Sequence, residues 1–401
     1  MMTMNKTKKY SLFLLPLILI SYLVVGFPDG AFTVSWVGIE YDLSLSIAHS
    51  GYILVGYSIT YTLSGIVLGF LNRFFKLQTL YLQGLIIMAV GFLILAFSTG
   101  FSVALLGIAV YGFGTGLMAS SMNSYMAKHF TAGHNNLMHC FWGAGAAISP
   151  LIMAHMMNVS TWSVGYFAII GILIVVGIIL LLSLMTKIWI DEEEIQHGEE
   201  EKITRKSRRC YLTKPSHQVI EIMTFFFLGG TDYTLVFFTG MVLYQRGVEG
   251  VAILSAVYYI SMTAGRMFFG YLAKYLKELS IIRVGIAVAV MGMLTLQFVS
   301  SSIGVATLGM ALTGFGLGPL LPTLVSDTLN RFRSESINKL VGYEFAAFGA
   351  GIAVLFFMTS QILNFVTLEA LFPIGLSFVF LVFVCNEILE KAIKRANKEL
   401  I

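Results

Sequence analysis

Two acidic residues stand where the surrounding chain is apolar. Asp29 lies in the interruption Gly26-Phe-Pro-Asp-Gly30, and Asp232 closes Gly229-Gly-Thr-Asp232 about two hundred residues later. A carboxylate at the centre of an apolar helix costs roughly 2.5–3.5 kcal/mol. The cost falls if the group faces water or keeps its proton. A carboxyl that is neutral in one surrounding and ionised in another can load a proton on one side of a membrane and release it on the other. Proton binding or cation coordination is therefore the chemistry these two residues suit. The competing reading is a structural acid that caps a broken helix. No basic residue shares the span of Asp29, so no fixed cation offsets its charge. His139 titrates near neutrality by nature and suits a proton relay, or equally a hydrogen bond to a neighbouring helix. Glu344, about six residues into its span, is expected to pair with Arg266 or to reach the membrane interface, and is the fourth candidate for proton coupling.

A second set of residues suits recognition. Asn123, Trp142, Tyr111 and Trp36 would line a polar and aromatic cavity, because sugar rings stack on aromatic faces and hydrogen-bond to amides. Trp36 also fits an aromatic belt at the outer interface. Arg73, Arg266 and Arg331 fall at or near helix ends, where gate ion pairs or snorkelling are expected, with Asp327 as a partner for one of them. No G-x-x-x-x-G-K-[ST], H-x-x-x-H or G-x-S-x-G pattern occurs. Cys140, Cys210 and Cys385 have neither C-x-x-C spacing nor a nearby His at metal-ligand spacing, and read as free thiols. No cofactor, metal or nucleic-acid partner is expected.

The elements that must position these residues are membrane helices. The chain has 401 residues, 57% hydrophobic and only 11% charged, where a soluble domain carries about 25% charged residues. Runs of about twenty apolar residues recur twelve times. They are expected near 11–37, 47–71, 77–98, 101–126, 136–158 and 163–187, then near 218–243, 249–274, 281–300, 302–327, 338–363 and 367–389. Of the 25 basic residues, all but Arg246 and Arg266 fall in the tails or in alternate loops that share one side. The positive-inside rule then places both termini in the cytoplasm of a plasma-membrane protein. Met1–Lys9 reads as a basic cytoplasmic tail before the first span, since that span is too long for a signal peptide and no A-x-A-like site follows it.

The chain also repeats itself. Gly69 to Lys76 matches Gly270 to Lys277, Gly112-Phe-Gly-Thr-Gly116 matches Gly314-Phe-Gly-Leu-Gly318, Asn135 matches Asn338, and Asp29 matches Asp232, all at offsets of 201 to 203 residues. A tandem duplication of six-helix units follows, related by an axis normal to the membrane. The domains are then 1–189, a charged cytoplasmic linker at 190–217, and 218–401. The linker carries Asp191-Glu-Glu-Glu194, Glu199-Glu-Glu201 and the basic cluster Arg205–Arg209. It reads as a solvated connection whose basic cluster can touch anionic lipid headgroups.

With these features in place, the whole chain resembles the major facilitator superfamily. Gly69, Arg73 and Lys76 fit that superfamily's loop G-x-x-x-D-R-x-G-R-K between the second and third helices, although Asn72 and Phe75 replace its Asp and second Gly. The chain is most similar to the fucose–galactose–glucose:proton symporter group and its uncharacterised bacterial relatives. Gly26 to Gly30 with Trp36, Gly112 to Gly116 leading to Asn123, and Asn136-Leu-Met-His139 with Gly143, Gly145 and Pro150 carry the likeness. Gly265-Arg266 with Gly270, and Gly316 to Pro322, extend it to the second half. Two departures stand out: the acid that many relatives place in the fourth helix is Ala119 here, and the Glu often found in the seventh is Asp232.

The resemblance implies an all-α integral membrane fold of twelve helices in two pseudo-symmetric six-helix bundles. It implies a monomeric secondary transporter, surrounded by lipid, that moves a small polar solute, such as a sugar, with protons by alternating access. The other readings are a drug or sugar efflux antiporter and, in a different class, a membrane sensor or intramembrane enzyme on the same fold.

Overall fold

The computed structural model describes residues 6–130, 132–186, 188–189, 212, 214–251, 253–299, 302–332 and 334–398. The charged stretch expected to be a linker lies almost wholly outside the described residues. Among those residues the regular structure is helical, apart from one isolated bridge between Leu212 and Phe332.

The first bundle runs α1 (Lys6–Leu23), α2 (Phe27–Asp42), α3 (Ile47–Leu71), α4 (Leu77–Ala96), α5 (Phe101–His129), α6 (Ala132–Val159) and α7 (Trp162–Met185). The second runs α8 (Pro215–Gln245), α9 (Ile253–Leu272), α10 (Glu278–Phe298), α11 (Ile303–Leu317), α12 (Leu320–Arg331), α13 (Ser334–Phe365) and α14 (Leu371–Lys398). Two spans are broken. The first changes from α1 to α2 through a 3-10 turn at Val24–Gly26, and Pro28 occupies the opening of α2, where its missing N–H costs nothing. The tenth changes from α11 to α12 at Gly318-Pro319 for the same reason. The seventh span differs from its counterpart in the first. Gly229 to Asp232 lies inside the unbroken helix α8, because the stretch has no proline. Its glycines serve packing instead: a Cβ on Gly229 would fall 2.2 Å from the Phe348 carbonyl oxygen of α13.

Among the described residues, eleven helices are long and apolar enough to cross a membrane. The remaining span, the eighth, is α9, whose 20 residues are diluted by Ser255, Ser261, Thr263 and Arg266. It packs on α11 and on α6 of the other bundle, and Ser255 is buried.

The internal repeat is visible as repeated packing. The pairs α4–α5, α3–α5, α2–α6 and α4–α7 recur as α10–α11, α9–α11, α8–α13 and α10–α14. Gly84 lies against Gly114 as Gly285 lies against Gly316, each glycine admitting a neighbouring backbone too close for any side chain. Between the bundles, α3 meets α13 and α6 meets α9, contacts that the pseudo-two-fold exchanges. On the face away from the chain termini the bundles touch directly. Phe32 and Phe237 lie 5.4 Å apart, Tyr52 and Phe357 5.1 Å, and the Gln361 amide donates to the Ala48 carbonyl at 3.3 Å.

Candidate functional site

The break between α1 and α2 places Asp29 in the first turn of α2. The residue is 9% exposed. Its Oδ2 accepts from the Trp142 indole of α6 at 3.1 Å, and its Oδ1 accepts from the Tyr233 hydroxyl of α8 at 2.6 Å. The indole belongs to the same bundle and the phenol to the other. Each hydrogen bond to a charged group contributes about 1.5–3 kcal/mol, which offsets much of the desolvation of an ionised carboxylate. The close approach of α2 to α6 makes the indole contact possible. A Cβ on Gly30 would fall 2.1 Å from the Ala146 carbonyl oxygen, so this crossing requires glycine.

Beside Asp29 lies a cavity of about 20 Å³, lined by residues of both bundles that include Thr33, Tyr57, Tyr111, Tyr233 and Phe237. It holds a guest the size of one water molecule.

Asp232 is half-buried and accepts from the Tyr258 hydroxyl of α9, within its own bundle. Tyr258 follows Tyr57 by 201 residues, the offset of the internal repeat. The two acids therefore sit in related surroundings, each near the tyrosine of the following span, but only Asp29 reaches across to the opposite bundle.

Arg266 is not at a helix end as expected. Its guanidinium lies over the Trp142 ring at 5.5 Å, between the bundles, and its Nε donates to the Gly318 carbonyl at the α11–α12 break. Trp142 thus has Asp29 at its N–H edge and a guanidinium at its face, and it meets Tyr259 edge-on at 6.1 Å. His139 stands one turn before Trp142 and contacts the Tyr22 ring edge-on at 5.9 Å. Asn123 donates to the Tyr22 hydroxyl at 3.2 Å and to the carbonyl of Ala119. Tyr111 packs on Phe92 and Tyr57 and lines the small cavity.

Other expected positions fall elsewhere. Trp36 does not join an interfacial belt: it is fully buried against Phe32 and Phe237, where the bundles meet. Arg73 is exposed in the turn between α3 and α4. Asp327 pairs with Arg331, one turn on, at 2.6 Å. Arg331 does not snorkel but is 1% exposed, held by Glu221 at 3.1 Å. Glu344 pairs with neither Arg266 nor the interface; it is fully buried and bonded to Thr328. Arg266 lies against α6 and α11, whereas Glu344 faces α12, so the two cannot meet.

Tyr233, Tyr258 and Glu221 escape a reading of isolated motifs. The repeat offset applied to Tyr57 would have indicated Tyr258. Glu221, a single acid among the apolar residues that open the seventh span, carries the same signal of cost as Asp29. Tyr233 has no comparable mark, since a tyrosine beside an acid is ordinary.

The model of the Major Facilitator Superfamily matches residues 18–355. The glucose/mannose transporter GlcP of Bacillus subtilis (strain 168) is 20% identical over 329 residues, which cover 78% of this chain and 79% of that protein. Among solved structures, a bacterial homologue of the human lysosomal transporter Spinster, inward-facing and unoccupied, superposes with a TM-score of 0.72 at 14% identity, covering 97% of this chain and 98% of that one. A peptide transporter POT superposes with a TM-score of 0.75 at 13% identity, covering 96% and 95%. The family match spans most of the chain, and the two bundles with their exchanged contacts have the same architecture as these transporters: the chain belongs to the Major Facilitator Superfamily.

Proposed function

We propose that this transporter moves a small polar solute, with a sugar as the first class to test, and that it couples that movement to protons at Asp29. One observation carries the reading: a buried carboxyl of the first bundle is held by a hydroxyl of the second. Ionised, Asp29 accepts strongly from Tyr233 and draws the bundles together around it. Protonated, it is a weaker acceptor, and the tie loosens. Occupancy by a proton thereby biases the relative placement of the bundles, which alternating access requires. Trp142, Tyr259 and Asn123 supply aromatic faces and an amide of the kind a sugar uses. The likeness to a glucose/mannose transporter supports the same class. Asp232 and His139 serve as secondary candidates on the proton route. The basic residues of the alternate loops favour a plasma membrane with both termini inside.

The test is uptake of radiolabelled glucose, mannose and a panel of other small solutes into proteoliposomes with an imposed pH gradient. Uphill accumulation that a protonophore abolishes is the expected result. Outward movement of the solute against the proton gradient would instead identify an efflux antiporter, and accumulation indifferent to the protonophore would remove the proton from the reading.

A further inference from the structure

A second buried polar cluster lies wholly within the second bundle, where α8, α12, α13 and α14 converge. Glu221, Thr328, Glu344 and Asn386 are 0% exposed and Arg331 1%. Three carboxyl groups lie in this region, and two of them, on Glu221 and Asp327, contact the one guanidinium. Arg331 Nη1 donates to Glu221 Oε2 at 3.1 Å, and Nη2 lies 2.6 Å from both Asn386 Oδ1 and Asp327 Oδ2. Glu344 touches no cation among the described residues. Thr328 is its polar partner, and its second oxygen, Oε2, is buried with none.

The Thr328 hydroxyl dictates where hydrogens can be. Its oxygen lies 3.0 Å from Glu221 Oε1, 2.9 Å from Glu344 Oε1 and 3.1 Å from the Leu324 carbonyl oxygen. A hydroxyl has one hydrogen to donate and two lone pairs to accept with. It can satisfy only one of these three oxygens as donor. A carbonyl has no hydrogen to return, so one carboxyl oxygen at hydrogen-bond distance must supply its own. Two ionised carboxylates would also leave a buried negative charge with no cation beside it, an arrangement proteins avoid. Glu221 has the guanidinium; Glu344 does not.

We propose that Glu221, Thr328 and Glu344 form a proton-binding site separate from Asp29, with the proton held by Glu344. Glu344 Oε1–H donates to Thr328 Oγ1, the Thr328 hydrogen goes to Glu221 Oε1, and Glu221 Oε2 accepts from Arg331. The other ionisable neighbours leave this assignment in place. From α14, Cys385 faces Glu221, and Glu390 faces Asp327 while pairing with Lys394 at 3.3 Å. From α10, Glu278 also faces Asp327 and accepts from Asn330 at 3.1 Å. None of these supplies a cation to Glu344. The relay joins α13 to α8 through α12, so loss of the proton loosens three helices at once. Ionisation of Glu344 would remove the donor to Thr328 and leave a second buried charge, so the stability contributed by this proton is lost when Glu344 ionises.

The test is infrared titration of the purified full-length chain in lipid nanodiscs, which needs no substrate and stands whether or not the transport reading holds. In protein carrying Asp29→Asn and Asp232→Asn, the difference between neutral and alkaline spectra is expected to show loss of a protonated-carboxyl band. Adding Glu344→Gln removes that band, and it flattens the fall of the thermal midpoint at alkaline pH. Glu221→Gln lowers the midpoint at every pH, because Arg331 loses one of its two carboxylate partners. A missing band, or a band that survives Glu344→Gln, overturns the proposal. If Glu344→Gln does not fold, Thr328→Val decides. A shift of the band, from loss of the hydroxyl acceptor, supports the relay; an unmoved band overturns it.

Discussion

The hydroxyl of Tyr233 on α8 donates to Asp29 on α2 across 2.6 Å, so the acid of the first bundle is held by the residue next in sequence to the acid of the second. The bond crosses the interface that must open and close in a rocking mechanism. A hydrogen bond to an ionised carboxylate contributes about 1.5–3 kcal/mol. Tyr233→Phe should therefore shift the population toward separated bundles by about tenfold or more. Spin labels at Tyr41→Cys and Val366→Cys, both well exposed on the face away from the termini, would report a larger long-distance fraction. An unchanged distance distribution would mean that the bond does not hold the bundles.

Asp29→Asn keeps an oxygen acceptor for Tyr233 and removes the charge. It imitates the protonated acid permanently. Proton-driven uphill uptake should be lost, whereas counterflow, which needs only binding and reorientation, should remain near the parent rate. Its pH dependence should flatten as well. Uphill accumulation equal to the parent would move the coupling role to Asp232.

Gly145 and Gly69 separate packing from local motif. A Cβ on Gly145 would lie 1.8 Å from the Leu23 carbonyl oxygen, and one on Gly69 meets nothing within 4 Å. Gly145→Ala must push α6 away from α1, and overpacking of this kind costs about 1–3 kcal/mol. Its thermal midpoint should fall by a few degrees. Gly69→Ala should stay within about 0.5 kcal/mol of the parent. Equal midpoints for the two variants would contradict the packing of α1 on α6.

The orientation proposed from the basic residues can be read directly. In a background without the native cysteines, Glu40→Cys and Glu369→Cys should react with an impermeant thiol reagent in intact cells. Glu193→Cys, which lies outside the described residues, should not. The reverse pattern would invert the orientation, and reaction at all three would break the count of spans.

Features that depend on local composition and on internal comparison are legible along the chain. Runs of about twenty apolar residues force membrane helices, because an unpaired peptide group in lipid is too costly to leave outside a helix. Pro28 between two glycines breaks the first span by covalent geometry, and the repeat offset foretells the matching packing of α4–α5 and α10–α11. Asp29 could be singled out because its cost is a property of its own neighbours along the chain. The tertiary structure alone decided who meets whom. Successive residues on a helix point about 100° apart, so the partner of a side chain depends on how each helix is turned and tilted. That rotation buried Trp36 between the bundles and laid Arg266 over Trp142. It likewise turned Glu344 toward Thr328 and Glu221, and Tyr233 rather than Asp232 toward Asp29. These contacts join residues about one hundred or more positions apart as readily as sixteen, and no local rule of sequence ranks such partners.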